Sequence, residues 1–339
     1  MHYFVAASLA SAKISRRVEL NPPPDENGVL SPLLSIVICT YNNSESLAIT
    51  IQQILSQKIS NPERVELVVI NNNSSDNTNQ VLENIQNTNF PFRHYFESRQ
   101  GISHARNTGF ENSLGAYILY TDDDAEIPQY WLERYINRIL VSNPDCIFGK
   151  ITVIWDMPSP WWYEDEKYQS FFAAIDYGDE EFQISDKRYP FLSKNACIRK
   201  NCLIEIGGFD PTLGRKGALL AGGEETLVFY RLVEAEKTIY YCPELTIRHR
   251  LKPREYKEEN ITNQYMACAK PILRIATLQP GKRFLNKPLG VLENQIKEII
   301  YSLPMLLTAY ITGNKKEFFY QSLRFRRAFL ITLLWFGNF

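Results

Sequence analysis

Ala116-Tyr117-Ile118-Leu119-Tyr120-Thr121-Asp122-Asp123-Asp124 passes from an unbroken apolar block straight into three consecutive acids. A block of that composition reads as a buried strand. The acids then emerge together at its carboxyl end, where open α/β sheets keep their ligand crevices. Two carboxylates about 4–5 Å apart repel by roughly 3–4 kcal/mol at an effective dielectric near 20. Three in a row stay ionised cheaply only beside water or a cation. A solvated acidic turn is the plainer alternative for such a run, and the rest of the chain bears on the choice.

Upstream, Leu33-Leu34-Ser35-Ile36-Val37-Ile38-Cys39 is a short β-rich run, followed by a helix with Leu47, Ile51, Ile54 and Leu55 on one face and Asn43 or Ser44 as its cap. A second strand, Val65 to Ile70, leads through Asn71-Asn72-Asn73-Ser74-Ser75-Asp76 into a helix carrying Val81, Leu82 and Ile85. Strand, helix, strand, helix implies parallel pairing. A third strand is expected near Phe92 to Phe96, then a loop into a helix across Arg99 to Gly109. Downstream of the acids, Trp131, Leu132, Tyr135, Ile136, Ile139 and Leu140 mark an amphipathic helix. Aromatics mixed with acids run from Asp156 to Arg188, and the regular pattern resumes with Ala196 to Gly208 and a helix near Glu225 to Ala235.

The 339 residues suit one α/β unit with appendages. With 37 basic and 38 acidic residues the net charge is −1, so no global field recruits nucleic acid, and electrostatic recognition has to be local. Cys39, Cys146, Cys197, Cys202, Cys242 and Cys268 lie far apart, without a C-x-x-C pair or a zinc-like grouping, and read as reduced and mostly buried, consistent with a cytoplasmic catalytic part. Met1 to Ala12 lacks a basic leader, so no secretory signal is expected. The Pro-rich run Asn21 to Gly28 makes residues 1–32 a flexible segment.

Several further segments share a telling order. Ile38-Cys39-Thr40-Tyr41-Asn42-Asn43 follows the first strand, Asn71 to Asp76 the second, and Ala105-Arg106-Asn107-Thr108-Gly109 precedes the acid-tipped one. Then come Thr121 to Asp124, Gly207-Gly208-Phe209-Asp210, Leu213-Gly214-Arg215, Gly223-Glu224-Glu225 and Arg248-His249. Each is weak alone, but in this order, across roughly residues 33–255, the chain resembles a family 2 glycosyltransferase of the bacterial polysaccharide- and glycolipid-building type.

The resemblance implies an α/β, Rossmann-like nucleotide-diphospho-sugar transferase fold (the A-type glycosyltransferase fold) with a mostly parallel central sheet. It also implies an inverting transfer of a hexose from a nucleotide-diphosphate sugar to a saccharide or lipid-linked acceptor. Residues 33–275 would form the catalytic domain, with 33–128 the nucleotide-sugar half and 129–275 the acceptor half. Asp122, Asp123 and Asp124 can hold Mg²⁺ or Mn²⁺ against the donor's diphosphate. Asp122 with Asp124, or Asp123 alone, agrees with the family's D-x-D region. In the resembling family a histidine at the place of His249 can reach the metal; otherwise it is a hydrogen-bonded histidine at a strand end.

Glu225 falls where the family has its catalytic base, usually aspartate, and Glu224 precedes it at a helix start. One base suffices for a single displacement, whereas a glycosidase needs two carboxylates flanking the bond. Thr40, Tyr41, Asn42 and Asn71 are expected to line the nucleotide pocket, with Tyr41 over the base ring. Asn71 and Asn72 depart from the family's usual aspartate, which leaves donor choice open. Arg106, with Asn107, is placed near the donor crevice or as a strut of its loop. Acceptor and phosphate contacts are expected from Trp161, Trp162, Asn195, Arg215, Glu224 and Arg254, and sugar stacking also from Trp155, Tyr163 and Tyr177.

No apolar stretch reaches the roughly 18–20 residues of a spanning helix. Residues 276–339 read as helical, with the apolar blocks Ile299 to Leu307 and Phe329 to Phe336 and, between them, Lys315, Lys316, Arg324, Arg326 and Arg327 among aromatics. That composition suits peripheral attachment through residues 285–339 to the inner face of the plasma membrane, or packing on the catalytic domain. Two other functions remain in view. A nucleotidyltransferase could combine the same elements, though no Gly-rich, basic phosphate loop follows the first strand. A non-catalytic sugar-binding or scaffold relative would account for Asn71 and Asn72.

Overall fold

The computed structural model describes residues 31–86, 88–217 and 220–337. The irregular segment expected over 1–32 therefore lies outside the described residues but for its last two positions.

Three apolar runs form the first half of one sheet: β1 (Leu34–Thr40), β2 (Val65–Asn71) and β4 (Tyr117–Asp122), with β3 (Phe92–Phe96) at the edge. β1 is flanked by β2 and β4, and all pairings in the order β3-β2-β1-β4 are parallel. Burial on both faces explains why these strands read as continuous hydrophobic runs rather than alternations. The crossovers are α1 (Ser44–Leu55), α2 (Thr78–Glu83) and α3 (Ile102–Asn112). α2 is shorter than its periodicity suggests; Ile85 packs on the core from just beyond it. α1 buries Leu47, Thr50, Ile51 and Ile54. Its cap is not local: Asn43 makes no side-chain cap bond, and the Ser44 N–H donates to Asp76 Oδ2 at 3.0 Å.

After β4 come β5 (Ala125–Glu126), α4 (Trp131–Ser142), β6 (Cys146–Ile154), α5 (Asp165–Tyr168), β7 (Phe182–Ile184), β8 (Asn195–Arg199), α6 (Lys200–Glu205), α7 (Glu224–Glu234) and β9 (Ile239–Arg250). The sheet continues β4-β8-β6-β9-β5, with β7 also on β9. β8 runs against both β4 and β6, while β6 and β9 are parallel. Six strands, β3, β2, β1, β4, β6 and β9, thus share one direction, with β8 reversed among them and the short β5 and β7 reversed against β9.

The β6–β9 register shifts between Gly149 and Ile151. A Cβ on Gly149 would lie 1.8 Å from the Leu245 carbonyl oxygen, so only glycine fits this close approach. The Asn195 amide bridges the irregularity, donating to the Lys150 and Leu245 carbonyls at 3.1 and 2.5 Å.

The chain ends in α8 (Glu258–Ala267), α9 (Ala269–Leu278), a two-stranded ribbon β10 (Arg283–Phe284) and β11 (Lys287–Pro288), and the long α10 (Leu289–Ile311) and α11 (Lys315–Phe336). One face of α11 is buried. Leu323 joins Trp162, Tyr163, Tyr168, Phe172, Leu251, Ile261 and Tyr265 in an aromatic cluster, while Ile331 and Trp335 pack on Ala269 and Leu273. α10 lies outside α11 and buries only Ser302 and Ala309 fully. Among the described residues, no helix is long and apolar enough to cross a membrane.

Candidate active site

Strand register assembles the cleft. Cys39 of β1 is opposite Asp122 of β4, so the residues after β1 meet the acids after β4. Antiparallel β8 sets Asn195 opposite Thr121, which brings Lys194 level with Asp122. β5 pairs with β9 with Ala125 opposite His249, which sets the histidine against Asp124.

The three acids differ. Asp123 turns inward and accepts from Thr40 Oγ1 at 2.6 Å and Asn43 Nδ2 at 2.7 Å. Burial, helped by the Asp124 charge, pushes its carboxyl up to about 7. Asp124 is nearly as buried, but Lys194 Nζ at 2.7 Å, His249 Nε2 at 3.8 Å and Lys252 Nζ at 3.3 Å face it. Against the opposing effect of burial, these groups hold its carboxyl well below the usual range. Asp122 is the open one, its side chain 35% exposed, with Lys194 Nζ at 3.4 Å and Arg106 Nη2 at 3.9 Å.

His249 is oriented by its other nitrogen. Nδ1 lies 2.8 Å from the Phe172 carbonyl oxygen, which can only accept, so Nδ1 carries the proton and Nε2 presents its lone pair toward Asp124. Burial, with the Lys194 charge, depresses the imidazole pKa and favours this neutral form. The donor chemistry of Asp122, Asp124 and His249 Nε2 fits Mn²⁺ or Mg²⁺, with nitrogen favouring Mn²⁺. Among the described residues, however, no three such side chains already converge at ligating distance. Two lysine ammonium groups stand there among the acids.

The base candidate sits on the neighbouring wall. Gly223, at φ 95°, turns the chain into α7, whose first residues are Glu224 and Glu225. Glu225 Oε1 accepts from Arg106 Nη2 at 2.9 Å and from the Ser193 N–H at 3.1 Å. Arg106 Nη1 donates to Glu224 Oε1 at 2.7 Å, and Glu224 Oε2 is buried without a hydrogen-bond partner among the described residues. Burial pushes the Glu225 carboxyl up to about 7 despite the opposing Arg106 charge. Arg106, 5% exposed, therefore links the acid cluster to the base. It thus stands beside the acids with its guanidinium engaged by the two glutamates of α7.

At the nucleotide end, Thr40 is spent on Asp123, and Tyr41 stands 41% exposed at the rim. Asn42, at φ 50°, holds the neighbouring turn by accepting from the Ser75 N–H at 2.7 Å. Asn71 donates to Asn79 Oδ1 at 2.6 Å and accepts from the Ser74 N–H at 2.9 Å, so both ends of its amide are engaged inside the protein. Asn72 likewise bonds the Arg99 carbonyl and the Gly101 N–H.

The expected acceptor residues divide. Trp161 is 47% exposed, with Nε1 donating to Glu258. Trp155 and Tyr163, with Asp156 and Glu164, line a cavity of about 680 Å³. Trp155 follows β6, whose Ile154 pairs with Arg250, so the cavity borders the His249 side of the cleft. Trp162 is not presented to it, because its ring is buried in the aromatic cluster. Arg215 and Arg254 are exposed, and the Arg215 carbonyl tethers the start of α3 through the Ile102 N–H.

Asn195 is 1% exposed and accepts from Trp131 Nε1 and the Tyr135 hydroxyl, both at 3.0 Å. Its amide is fully used in holding strands together rather than facing the cleft. Asn195→Ala is expected to cost about 2–4 kcal/mol in urea unfolding, because two buried donors lose their acceptor.

Lys194 and Lys252 are the site residues that sequence reasoning passed over. Each stood within two residues of one singled out there, Asn195 and Arg254, and the polar pair Lys194-Asn195 ahead of the apolar run Ala196-Cys197-Ile198 was the available signal.

Comparison with known proteins agrees with this architecture. A mannosyltransferase from Pyrobaculum calidifontis, solved with GDP-Man and Mn²⁺, superposes with a TM-score of 0.60 over 91% of this chain and 88% of its own at 14% identity, a likeness of fold. The glucosyl-dolichyl phosphate glucuronosyltransferase of Haloferax volcanii is 26% identical over 231 residues, 67% of this chain and 71% of that protein. The succinoglycan biosynthesis protein ExoM of Rhizobium meliloti is 23% identical over 213 residues, 62% of this chain and 64% of that protein, so this match spans less than two thirds of ExoM. The family model described as glycosyl transferase family 2 matches residues 35–207, more than half of the chain, and the protein belongs to that family.

Proposed function

We propose that this sugar-transferring protein is a metal-dependent, inverting glycosyltransferase that takes its donor as a nucleotide-diphosphate sugar. The observation that carries the reading is Glu225: a largely enclosed carboxylate, its side chain 16% exposed, raised to about 7 and held by Arg106 and the Ser193 N–H beside the acid-tipped strand. Such a group can take the proton of an acceptor hydroxyl near neutral pH. The hydroxyl oxygen bonds to the anomeric carbon while the bond from that carbon to the diphosphate oxygen breaks. The proton passes to Glu225, and the nucleoside diphosphate leaves from the opposite face, so the configuration inverts.

A divalent ion, when bound, would neutralise the diphosphate as it departs. Asp122, Asp124 and His249 Nε2 are the residues that would hold it. Asp123 keeps Thr40 and Asn43 in place. Arg106 fixes the base, and the Trp155–Tyr163 cavity, with its carboxylates, supplies flat faces for an acceptor saccharide. The solved relatives bind GDP-Man, or UDP and GalNAc, with Mn²⁺, which supports a similar donor and ion here. A thermal-shift screen of nucleotide sugars with and without Mn²⁺ tests the reading, since a ligand of the folded state raises the apparent Tm. Stabilisation by a nucleotide-diphosphate sugar only with the ion is expected. Release of pyrophosphate rather than nucleoside diphosphate would reassign the protein to nucleotidyl transfer.

We further propose that α10 rests on a membrane surface at the cytoplasmic face. Ile296, Ile300, Leu303, Leu307 and Ile311 recur at helical spacing on its outward side, with Ile300 62% and Ile311 81% exposed. Lys315, Lys316 and Arg326 are exposed nearby, whereas Arg324 is paired with Glu298 and Arg327 lies over the Tyr265 ring. Removing residues 285–339 would take Leu323, Ile331 and Trp335 out of the core and uncover Trp162, Tyr265 and Leu273, so point changes are the cleaner test. The double variant Ile300→Glu, Ile311→Glu is expected to lose most of its co-sedimentation with anionic-lipid vesicles at unchanged Tm. An unchanged pelleted fraction would refute the attachment.

A further inference from the structure

Between Asp122 and Asp124 lies the ammonium of Lys194, 3.4 Å from one carboxylate and 2.7 Å from the other. The residue is 4% exposed, and the register of β8 against β4 brings it level with Asp122, where a buried ammonium needs the carboxylates as partners. Lys252 Nζ adds a second positive charge at 3.3 Å from Asp124 Oδ2, but it is half-open and also donates to Asn43. His249 approaches the same Asp124 oxygen from the other side. The two acids best placed to hold a cation are thus already bridged by a cation belonging to the chain.

We propose that Lys194 is an intramolecular competitor for the divalent ion: it occupies the seat between Asp122 and Asp124 and yields it when the ion arrives together with a nucleoside diphosphate. The inference rests on the metal-dependent reading above. Its physical basis is charge balance. Asp122 and Asp124 carry two negative charges, and Lys194 with Lys252 carries two positive ones, so a bare divalent ion enters a neutral site with a like charge about 3–4 Å away and is held weakly. A diphosphate supplies new negative oxygens, which accept the displaced ammonium as a charge-assisted hydrogen-bond donor and at the same time ligate the ion. Ion and nucleotide then bind with strong positive coupling, and by reciprocity each raises the other's affinity by the same factor. Lys194 acts here as a positioning residue that ties ion loading to the presence of donor.

Calorimetric titration of MnCl₂ into the 339-residue protein, with and without UDP or GDP, reads this directly and does not depend on turnover. In the wild type, Mn²⁺ alone is expected to bind weakly and the nucleotide to tighten it strongly. Lys194→Gln is expected to bind Mn²⁺ alone at least about tenfold more tightly, with the ion–nucleotide coupling reduced by a similar factor. Lys194→Arg, which keeps the charge, is expected to stay near the wild type. Lys194→Met, of similar length and uncharged, serves if the glutamine variant does not fold. A folded Lys194→Gln or Lys194→Met protein with wild-type Mn²⁺ affinity overturns the proposal while leaving the metal-dependent reading intact. Nucleotide binding that is indifferent to Mn²⁺ in the wild type overturns that reading itself, and this inference with it.

Discussion

Glu225→Gln is expected to lower kcat by about 10²–10⁴-fold, the usual contribution of a positioned general base, while the affinity for donor stays within a few-fold of the wild type. Glutamine keeps the shape and can still accept from Arg106 and the Ser193 N–H, so the wall of the cleft stays in place. What it cannot do is take a proton.

The sign of the pH dependence follows from the direction of the shift. Burial raises the Glu225 carboxyl to about 7, so the base is mostly protonated below that pH and becomes competent above it. The wild-type rate should therefore rise through neutrality on a limb with a midpoint near 7, and the residual rate of Glu225→Gln should lack that limb. Steady-state kinetics across pH 5.5–8.5, beside donor titration by calorimetry, provide the check. A variant with normal turnover would remove Glu225 from the chemistry, and one that loses donor affinity in proportion to rate would make it a binding residue.

Asp124→Asn is expected to abolish Mn²⁺-dependent binding of a nucleoside diphosphate, a loss of more than about 100-fold, and to weaken the fold as well. Three positively charged or ligating groups face this carboxylate, and its removal leaves Lys194 with Asp122 alone. Breaking one side of a buried ion pair costs about 3–5 kcal/mol where no other partner takes over. Asp122 is still present, so the lower end is expected, read as a fall in Tm. Asp123→Asn is the contrasting case. Burial already raises that carboxyl to about 7, and an amide oxygen can accept from Thr40 as the carboxylate does, so its effect on ion-dependent binding should remain within about tenfold. Equal losses in the two variants would show that the middle acid holds the ion after all.

Much of this protein was legible from local pattern. The runs ending at Cys39, Ile70 and Tyr120 became β1, β2 and β4 within a residue or two, and the parallel pairing inferred from the alternation of strands and helices is the one observed. The ordered segments from Thr40 to His249 pointed to the family. Less visible was the division of labour inside each segment. Of three adjacent aspartates, one faces the interior and two face the cleft. Of the pair Lys194-Asn195, the lysine meets the acids and the asparagine is a strut; of Lys252 and Arg254, it is again the lysine. Alternation along a strand sends neighbouring side chains to opposite faces, and which face is functional depends on the pairing partner. The local cap expected for α1 failed for a related reason: Asn43 is drawn to Asp123, and Asp76, from the turn before α2, takes over the helix N-terminus.

By itself the chain's order of residues determined the strand and helix positions, the α/β class and the place of the acids at a strand end, because hydrophobic periodicity and turn chemistry act over a few residues and can be read there. Tertiary structure alone decided that Lys194 stands between Asp122 and Asp124, that His249 turns its free nitrogen toward Asp124, and that Arg106 joins Asp122 to Glu225. These partners are far apart along the chain and meet through antiparallel register and helix packing. No local preference encodes that register, and a shift of one residue in a strand pairing would turn Lys194 or His249 away from the cleft.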